Sequence, residues 1–167
     1  MRFKLSIIAG VISCFFVGVY FANQISLNQN CTGYLKRAAD ANSIELAKRE
    51  LEKTIFYAEK NGLTNGYTSV LYKTPDEDIE FWYKNLKSSL DEIDKVDSTT
   101  TQMEKSNILM KLRETLTDSS TKGLSLTYPK GLSRYPNNLL WGIFIFISVC
   151  CIIWFIIELL IYLDRNR

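Results

Sequence analysis

The sequence contains no histidine, and this absence narrows the chemistry that the protein can perform. Histidine is the commonest general base at neutral pH and the commonest protein ligand for metal ions. Without it no nucleophile–base–acid set is recognisable, so we expect no enzymatic activity, no metal site and no cofactor. Proline and glycine are scarce as well, with 3 and 8 residues among 167, which argues against a low-complexity or all-β chain. The composition therefore predicts an all-α protein.

Cysteine is scarce in the polar part of the chain. Three of the four cysteines, Cys14, Cys150 and Cys151, fall inside apolar runs, where thiols pack as small apolar groups. Cys31 alone lies in the polar middle. A lone cysteine in an oxidising compartment is typical of an intermolecular disulfide or a free thiol. We therefore hypothesise a Cys31–Cys31 disulfide between two copies of the chain.

The polar middle also lacks a surplus of either charge. Residues 23–138 contain 16 Lys and Arg and 16 Asp and Glu, so the formal net charge of +2 comes from the two ends of the chain. An evenly mixed composition is not typical of a surface that binds nucleic acid or an anionic membrane. We expect no nucleic-acid partner.

Two long apolar runs lie near the ends of the sequence. Leu139–Leu163 contains a single ionisable residue, Glu158, and at about 1.5 Å per residue a helix of this length exceeds the roughly 30 Å hydrocarbon core of a bilayer. Leu5–Ala22 is near the lower length limit for a span. We favour an uncleaved signal anchor for this first run. A cleaved signal peptide and a lipoprotein signal modified at Cys14 are the alternatives.

Positive charges flank both apolar runs on the side away from the polar middle. Arg2 and Lys4 precede the first run, and Arg165 and Arg167 follow the second. Because Lys and Arg beside a span favour the cytoplasmic side, the sequence predicts a two-pass protein of the plasma (inner) membrane. Residues 1–4 and 164–167 would be cytoplasmic tails, and residues 23–138 would be periplasmic or otherwise extracytoplasmic.

Small residues recur at every fourth position of the first apolar run. A helix places residues four apart on one face, and small side chains there allow another helix to approach closely. The partner could be the second span, a second copy or another protein. The residues of this predicted transmembrane packing face are Ser6, Gly10, Cys14 and Gly18.

The polar middle has the periodicity of two antiparallel helices, at about 31–61 and 75–116. Asn61-Gly62 is a helix stop, and Thr74-Pro75 with Glu77 is a capping box with proline at the first helical position. We expect a bend or short break at 97–101, where β-branched and hydroxyl residues cluster. Residues 62–74 would form the tip of this hairpin, and 117–138 a loop.

Aromatic and apolar residues gather at the predicted tip. They predict one cluster, either closed as a small core, which we favour, or exposed as a partner-binding patch. The hairpin faces hold more apolar residues than one partner helix can cover. A second hairpin in a homo-oligomeric four-helix bundle, the C-terminal loop or a subunit of a larger membrane complex could supply the cover. The tip residues are Tyr67, Val70, Leu71, Tyr72, Phe81 and Trp82.

Three functions fit these features. The first is a non-enzymatic membrane protein whose exported helical domain binds a partner, as an accessory or regulatory subunit of a bacterial envelope complex. The second is a ligand-sensing module, with a small molecule between helices near Trp82 and Tyr67 and a separate signalling partner. The third is a phage- or toxin-like membrane effector.

Overall fold

The computed structural model describes residues 2–120, 123–134 and 139–165, and these residues are mostly helical, as the sequence predicts. The chain divides into two compact units. Residues 1–24 with 138–167 form the apolar unit, and residues 25–137 form the helical domain. The α-helices are α1 (Arg2–Leu27), α2 (Gly33–Ala39), α3 (Ile44–Lys60), α4 (Ile79–Asp94), α5 (Gln102–Leu116) and α6 (Leu139–Arg165).

In the apolar unit, α1 packs antiparallel against α6. The rings of Phe16 and Phe144 stack with centroids 5.2 Å apart, while Phe155 lies against Gly10, so the numbering rises along one helix as it falls along the other. Both helices are long and apolar enough to cross a membrane. The predicted tails continue these helices at 2–4 and 164–165, whereas Met1 and residues 166–167 lie outside the described residues.

Helix α1 continues into the helical domain through a π-helical turn, Asn28–Thr32, and then α2. The amide of Gly33 donates to the carbonyl of Asn28, which is the five-residue step of a π turn. Side chains of the turn support it, because Asn30 Nδ2 donates to the carbonyl of Ser26 at 2.8 Å. The predicted continuity from the first apolar run into the first helix of the polar middle therefore holds as far as Ala39.

The two long helices predicted for the polar middle are each divided in two. Helix α2 ends at Ala39, and α3 restarts where the hydroxyl of Ser43 accepts a hydrogen bond from the amide of Leu46. The second interruption is at the predicted place: α4 ends at Asp94, and a capping box of Thr101 and Glu104 starts α5. The described part of the domain therefore contains the four α-helices α2 to α5 after the end of α1.

Helices α3 and α4 form the antiparallel pair of the domain. Glu59 near the end of α3 accepts a hydrogen bond from the Tyr83 hydroxyl at 2.6 Å, and Lys48 near its start pairs with Asp94 at 2.7 Å. The connection begins with Gly62 in the left-handed conformation at φ 70°, as predicted. The amide of the next residue, Leu63, donates to the carbonyl of Ala58 at 2.7 Å and closes the helix end.

The core of the domain is closed by the chain itself. Helices α2 and α5 pack on the α3–α4 pair, and Leu132 from the segment after α5 is only 3% exposed. Within the domain no second hairpin is needed to bury this core. Its largest fully buried apolar side chains are Leu27, Leu35, Leu51, Leu63, Ile79, Leu86, Ile93 and Leu116.

The segment after α5 begins with a short β-hairpin that the sequence does not predict, whereas the described residues 127–134 form a loop, as predicted. Strands β1 (Thr117–Ser120) and β2 (Gly123–Leu126) pair antiparallel, with Thr117 opposite Leu126. Thr127 extends the ladder, because its amide donates to the carbonyl of Leu116 at 2.9 Å. Four-residue strands are too short for a clear alternation of apolar and polar residues, which explains the wrong prediction.

Candidate functional site

The start of α4 is fixed by side chains around a 3-10 turn, Pro75–Glu77. The predicted capping box is present, and the amide of Thr74 donates to Glu77 Oε2 at 3.1 Å. This hydrogen bond lowers the pKa of the Glu77 carboxyl. Asp78 then caps α4 by accepting a hydrogen bond from the amide of Phe81 at 3.0 Å.

The segment after β2 is bound to this helix start. The amide of Lys130 donates to the carbonyl of Asp76 at 2.8 Å, and the Thr68 hydroxyl donates to the carbonyl of Lys130 at 2.6 Å. Pro129 is buried beside it. Three parts of the sequence that are far apart, the 62–74 link, the start of α4 and residues 127–132, therefore meet at one place.

A groove of about 360 Å³ lies between α4, the end of α5 and the β-hairpin. We call it the α4–hairpin groove. Its lining is half apolar or aromatic and half polar, and the charged residues of its rim are Asp76, Asp78 and Asp118 with Lys130 as the single cation. Residues that line it are Pro75, Asp76, Asp78, Phe81, Trp82, Asn85, Leu86, Thr115, Leu116, Asp118, Ser125, Leu126, Thr127, Tyr128, Pro129 and Lys130.

Trp82 is the buried aromatic residue of this groove. Its side chain is 5% exposed, and its indole N–H has no acceptor among the residues that the structure describes. A buried indole N–H usually finds a hydrogen-bond partner, since removing it from water without one costs about 1–3 kcal/mol. Trp82, whose side chain lines the groove, therefore carries a buried hydrogen-bond donor that has no described acceptor.

The predicted tip residues do not form one cluster. Trp82 and Phe81 line the groove, with Phe81 64% exposed. Tyr67 and Val70 are half-buried, but Leu71 and Tyr72 are 81% and 78% exposed in the link. The closed aromatic core that we favoured is therefore not formed at Phe81, Leu71 and Tyr72, because all three side chains are largely exposed.

The side of the groove that the segment after α5 forms is not predicted from the sequence. Asp118, Leu126 and Tyr128 come from the segment predicted as a loop, and nothing local to them indicates that they face α4. The proline of Tyr128-Pro129-Lys130 was the one available signal, since it favours a fixed extended turn after the strand. The acidic run at the start of α4 supports the helix start, because Glu77 and Asp78 accept hydrogen bonds from backbone amides and Glu80 pairs with Lys84.

Charged side chains converge on Glu50 elsewhere in the domain. Its carboxylate is 2% exposed and accepts hydrogen bonds from Arg49 Nε at 3.0 Å and Lys53 Nζ at 3.2 Å. Arg37 Nε lies 3.3 Å from its second oxygen. One carboxylate therefore faces three cations, and the cluster has a surplus of positive charge.

Cys31 lies in the core of the helical domain. It is 0% exposed, and burial raises the pKa of its thiol to about 12. A disulfide needs a thiolate that can reach another sulfur. A Cys31–Cys31 link between chains would require the thiol to leave this core, so its placement gives the disulfide hypothesis no support.

The predicted packing face of the first apolar run is only partly brought together with α6. Ser6 and Gly10 are buried, and a Cβ at Gly10 would lie 3.3 Å from the ring of Phe155. Cys14 is exposed, and a Cβ at Gly18 would have no described neighbour within 4 Å. Ser13, which the spacing of four omits, is 3% exposed instead of Cys14.

Within the described residues, no group of three or more His, Cys, Asp or Glu side chains could hold a metal ion. The α4–hairpin groove is therefore considered as a binding site for an organic ligand or a partner segment. No known protein family, curated protein or solved structure matches the chain.

Proposed function

We propose that the chain is a two-pass membrane protein with both termini in the cytoplasm and the helical domain outside. The most apolar 18-residue stretches of the two candidate spans, in the helices that contain α1 and α6, have mean hydropathies of 2.3 and 2.9. Only 17% and 6% of these stretches are buried. An extensive exposed apolar surface is stable in lipid and unfavourable in water. The flanking Arg and Lys residues give the orientation.

The exported domain acts as a non-enzymatic binding module, an accessory or regulatory subunit of a bacterial envelope complex. The domain buries its own core, yet several large apolar side chains remain on its surface at the link and around the groove. Exposed apolar groups beside a groove are typical of partner-binding sites. Leu71, Tyr72, Phe81 and Leu124 are the members of this set, each at least 64% exposed.

The indole N–H of Trp82 is the observation that carries this proposal. Trp82 lines the groove, and its buried indole N–H has no acceptor among the described residues. A backbone carbonyl of a partner would accept this hydrogen bond after the side chains that cover the N–H move aside. Exposed Phe81 would then cover an apolar side chain of the same segment.

The charges at the rim indicate the chemistry of that segment. Asp76, Asp78 and Asp118 outnumber Lys130, so the rim favours a positively charged ligand. We therefore infer a partner segment that carries an apolar anchor and a neighbouring Lys or Arg.

A small molecule with an amine and a carbonyl group is the second candidate ligand. The groove volume of about 360 Å³ lies within the range of small-molecule pockets, roughly 300–1,000 Å³. In that case the protein is a sensor that works with a separate signalling partner. The exposed side chains outside the groove favour the protein partner.

Site-specific photo-crosslinking in native membranes tests the proposal. A benzophenone amino acid replaces Phe81, and the matched control replaces Met103, which is 76% exposed on α5 and outside the groove. We expect one discrete protein adduct from position 81 and none from 103. Sequencing of the crosslinked segment should find Lys or Arg within a few residues of the crosslink.

Charge reversal distinguishes this adduct from random collision. Asp118→Lys should lower the adduct yield at least about tenfold, because a like charge at the rim opposes a basic segment. Asp91→Lys, which changes the charge equally on an exposed part of α4 outside the groove, should leave it unchanged. Equal yields from positions 81 and 103, or equal effects of the two reversals, would contradict the proposal.

A further inference from the structure

A second groove of about 350 Å³ lies between the end of α1 and the C-terminal half of α3. We call it the α1–α3 groove. Three cations line it and no carboxylate does, although the composition of the whole polar middle is neutral. Its lining residues are Ser26, Asn30, Tyr34, Lys53, Phe56, Tyr57, Lys60, Asn61 and Arg134.

Each of the three cations of this groove has a described neighbour. Arg134 Nε donates to Asn61 Oδ1 at 3.2 Å, and Lys53 Nζ lies 4.8 Å from the centre of the Tyr34 ring. Lys60 has no carboxylate within 4.0 Å in the described part of the chain. Its ammonium group lies 6.0 Å from the ring centre of Phe56.

The Glu50 cluster adds to the positive potential beside the groove. Glu50 receives Lys53 together with Arg37 and Arg49, so its single charge leaves two of these three cations uncompensated. With Lys60 and Arg134, positive charge accumulates on this part of the domain. Such a concave cationic surface attracts an anion.

Two residues that line the groove are close in sequence to the predicted spans. Ser26 is four residues after Ala22, where the first apolar run ends. Arg134 is five residues before Leu139, which limits their separation to about 18 Å.

We propose that the α1–α3 groove binds the phosphate of an anionic phospholipid. Lys53, Lys60 and Arg134 would contact the phosphate, and the exposed ring of Phe56, 65% accessible, would contact the apolar part of the interface. Bound lipid would fix the domain at the membrane surface. The proposal rests on the membrane anchoring proposed above and is independent of the α4–hairpin groove.

Lipid binding to the detergent-solubilised full chain tests this inference. Phosphatidylglycerol and phosphatidylcholine are titrated separately, and bound lipid is counted by native mass spectrometry. We expect preferential retention of phosphatidylglycerol. Lys60→Gln and Arg134→Gln should each weaken its binding about fivefold, since a Lys or Arg near an anionic surface contributes on the order of 1 kcal/mol.

Lys84→Gln is the matched control, because Lys84 is 70% exposed on α4 and outside the groove. It should bind phosphatidylglycerol as the unmodified chain does, and circular dichroism should show all three variants folded. Equal retention of the two lipids, or equal losses in all three variants, would overturn the proposal.

Inorganic phosphate separates a lipid from a soluble anion. Millimolar phosphate should displace little phosphatidylglycerol, since the glycerol and acyl groups add contacts at the interface. If phosphate displaced phosphatidylglycerol when the two were present at equal concentrations, the groove would be assigned to a free anion and the lipid assignment would be overturned. Because the titration uses solubilised chain, it succeeds or fails separately from the crosslinking at Phe81 and from the topology of the spans.

Discussion

At the scale of single residues, Glu50 is the acid whose environment differs most from water. Burial opposes its ionisation, but hydrogen bonds from Lys53 and Arg49 and the charge of Arg37 outweigh burial and lower the pKa of the carboxyl. The three cations are 42–61% exposed, so solvent screens part of this attraction. Loss of the carboxylate would leave them close together without a counter-charge.

Glu50→Gln should therefore lower the free energy of unfolding by about 1–3 kcal/mol at pH 7. The matched control is Glu52→Gln, since Glu52 is 50% exposed and its ion pair with Lys48 is long at 4.0 Å. This variant should change the free energy of unfolding by less than about 0.5 kcal/mol. Urea unfolding of the solubilised full chain measures both. Equal stabilities of the two variants would contradict the assigned role of Glu50.

The lowered pKa of Glu50 also predicts that stability depends on pH. A folded pKa below the ordinary value of 4.5 gives stability that is present above that value and is lost as the pH falls through the folded pKa. The stability difference between the unmodified chain and Glu50→Gln should thus shrink below about pH 4.5. A difference that stays constant down to pH 3 would show that the charge of Glu50 is not its cause.

At the scale of elements, the π turn joins the apolar part of α1 to the helical domain. Its extra residue shifts the backbone hydrogen bonds by one position, and Gly33 stands where the shifted carbonyl approaches. A Cβ at Gly33 would lie 2.6 Å from the carbonyl oxygen of Asn28, which is closer than atoms can pack. The turn therefore requires glycine for space and not for backbone freedom.

Gly33→Ala should destabilise the domain by about 1–3 kcal/mol, because the backbone must shift to admit the methyl group. Gly18→Ala is the control in the same helix, where a Cβ meets no described atom within 4 Å, and it should be neutral or slightly stabilising. Thermal unfolding of the solubilised chain compares them. If Gly18→Ala lost more stability than Gly33→Ala, the result would support the predicted packing face at Gly18 and contradict the close contact described at Gly33.

Features set by neighbouring residues could be predicted from the sequence, and features set by distant ones could not. The capping box of Thr74 and Glu77, the left-handed Gly62 and the interruption after α4 depend on a few adjacent residues. The break between Ala39 and Ser43 is hard to see in the sequence because the apolar periodicity continues through it. The α4–hairpin groove takes Trp82 and Phe81 from the predicted tip, but its other side could not be predicted, because the contact of Lys130 with Asp76 joins residues 54 positions apart.

At the scale of the whole molecule, the net charge of the polar middle concealed a local surplus. The sum over residues 23–138 is zero, which argued against an anionic-membrane surface. The fold nevertheless lines the α1–α3 groove with Lys53, Lys60 and Arg134, and the rim of the other groove with three carboxylates and one lysine. Composition predicts the average charge of a surface, whereas the fold decides where opposite charges separate.

The proposed function depends on the helical domain lying outside the membrane with the termini inside. Cysteine labelling in intact cells with a membrane-impermeant maleimide tests this directly. Leu71→Cys reports on the domain, since Leu71 is 81% exposed, and Asp164→Cys reports on the end of α6. The unmodified chain, with Cys31 buried, gives the background. We predict that Leu71→Cys is labelled in intact cells and Asp164→Cys only after lysis; the reverse pattern, or labelling of both only after lysis, would contradict the account.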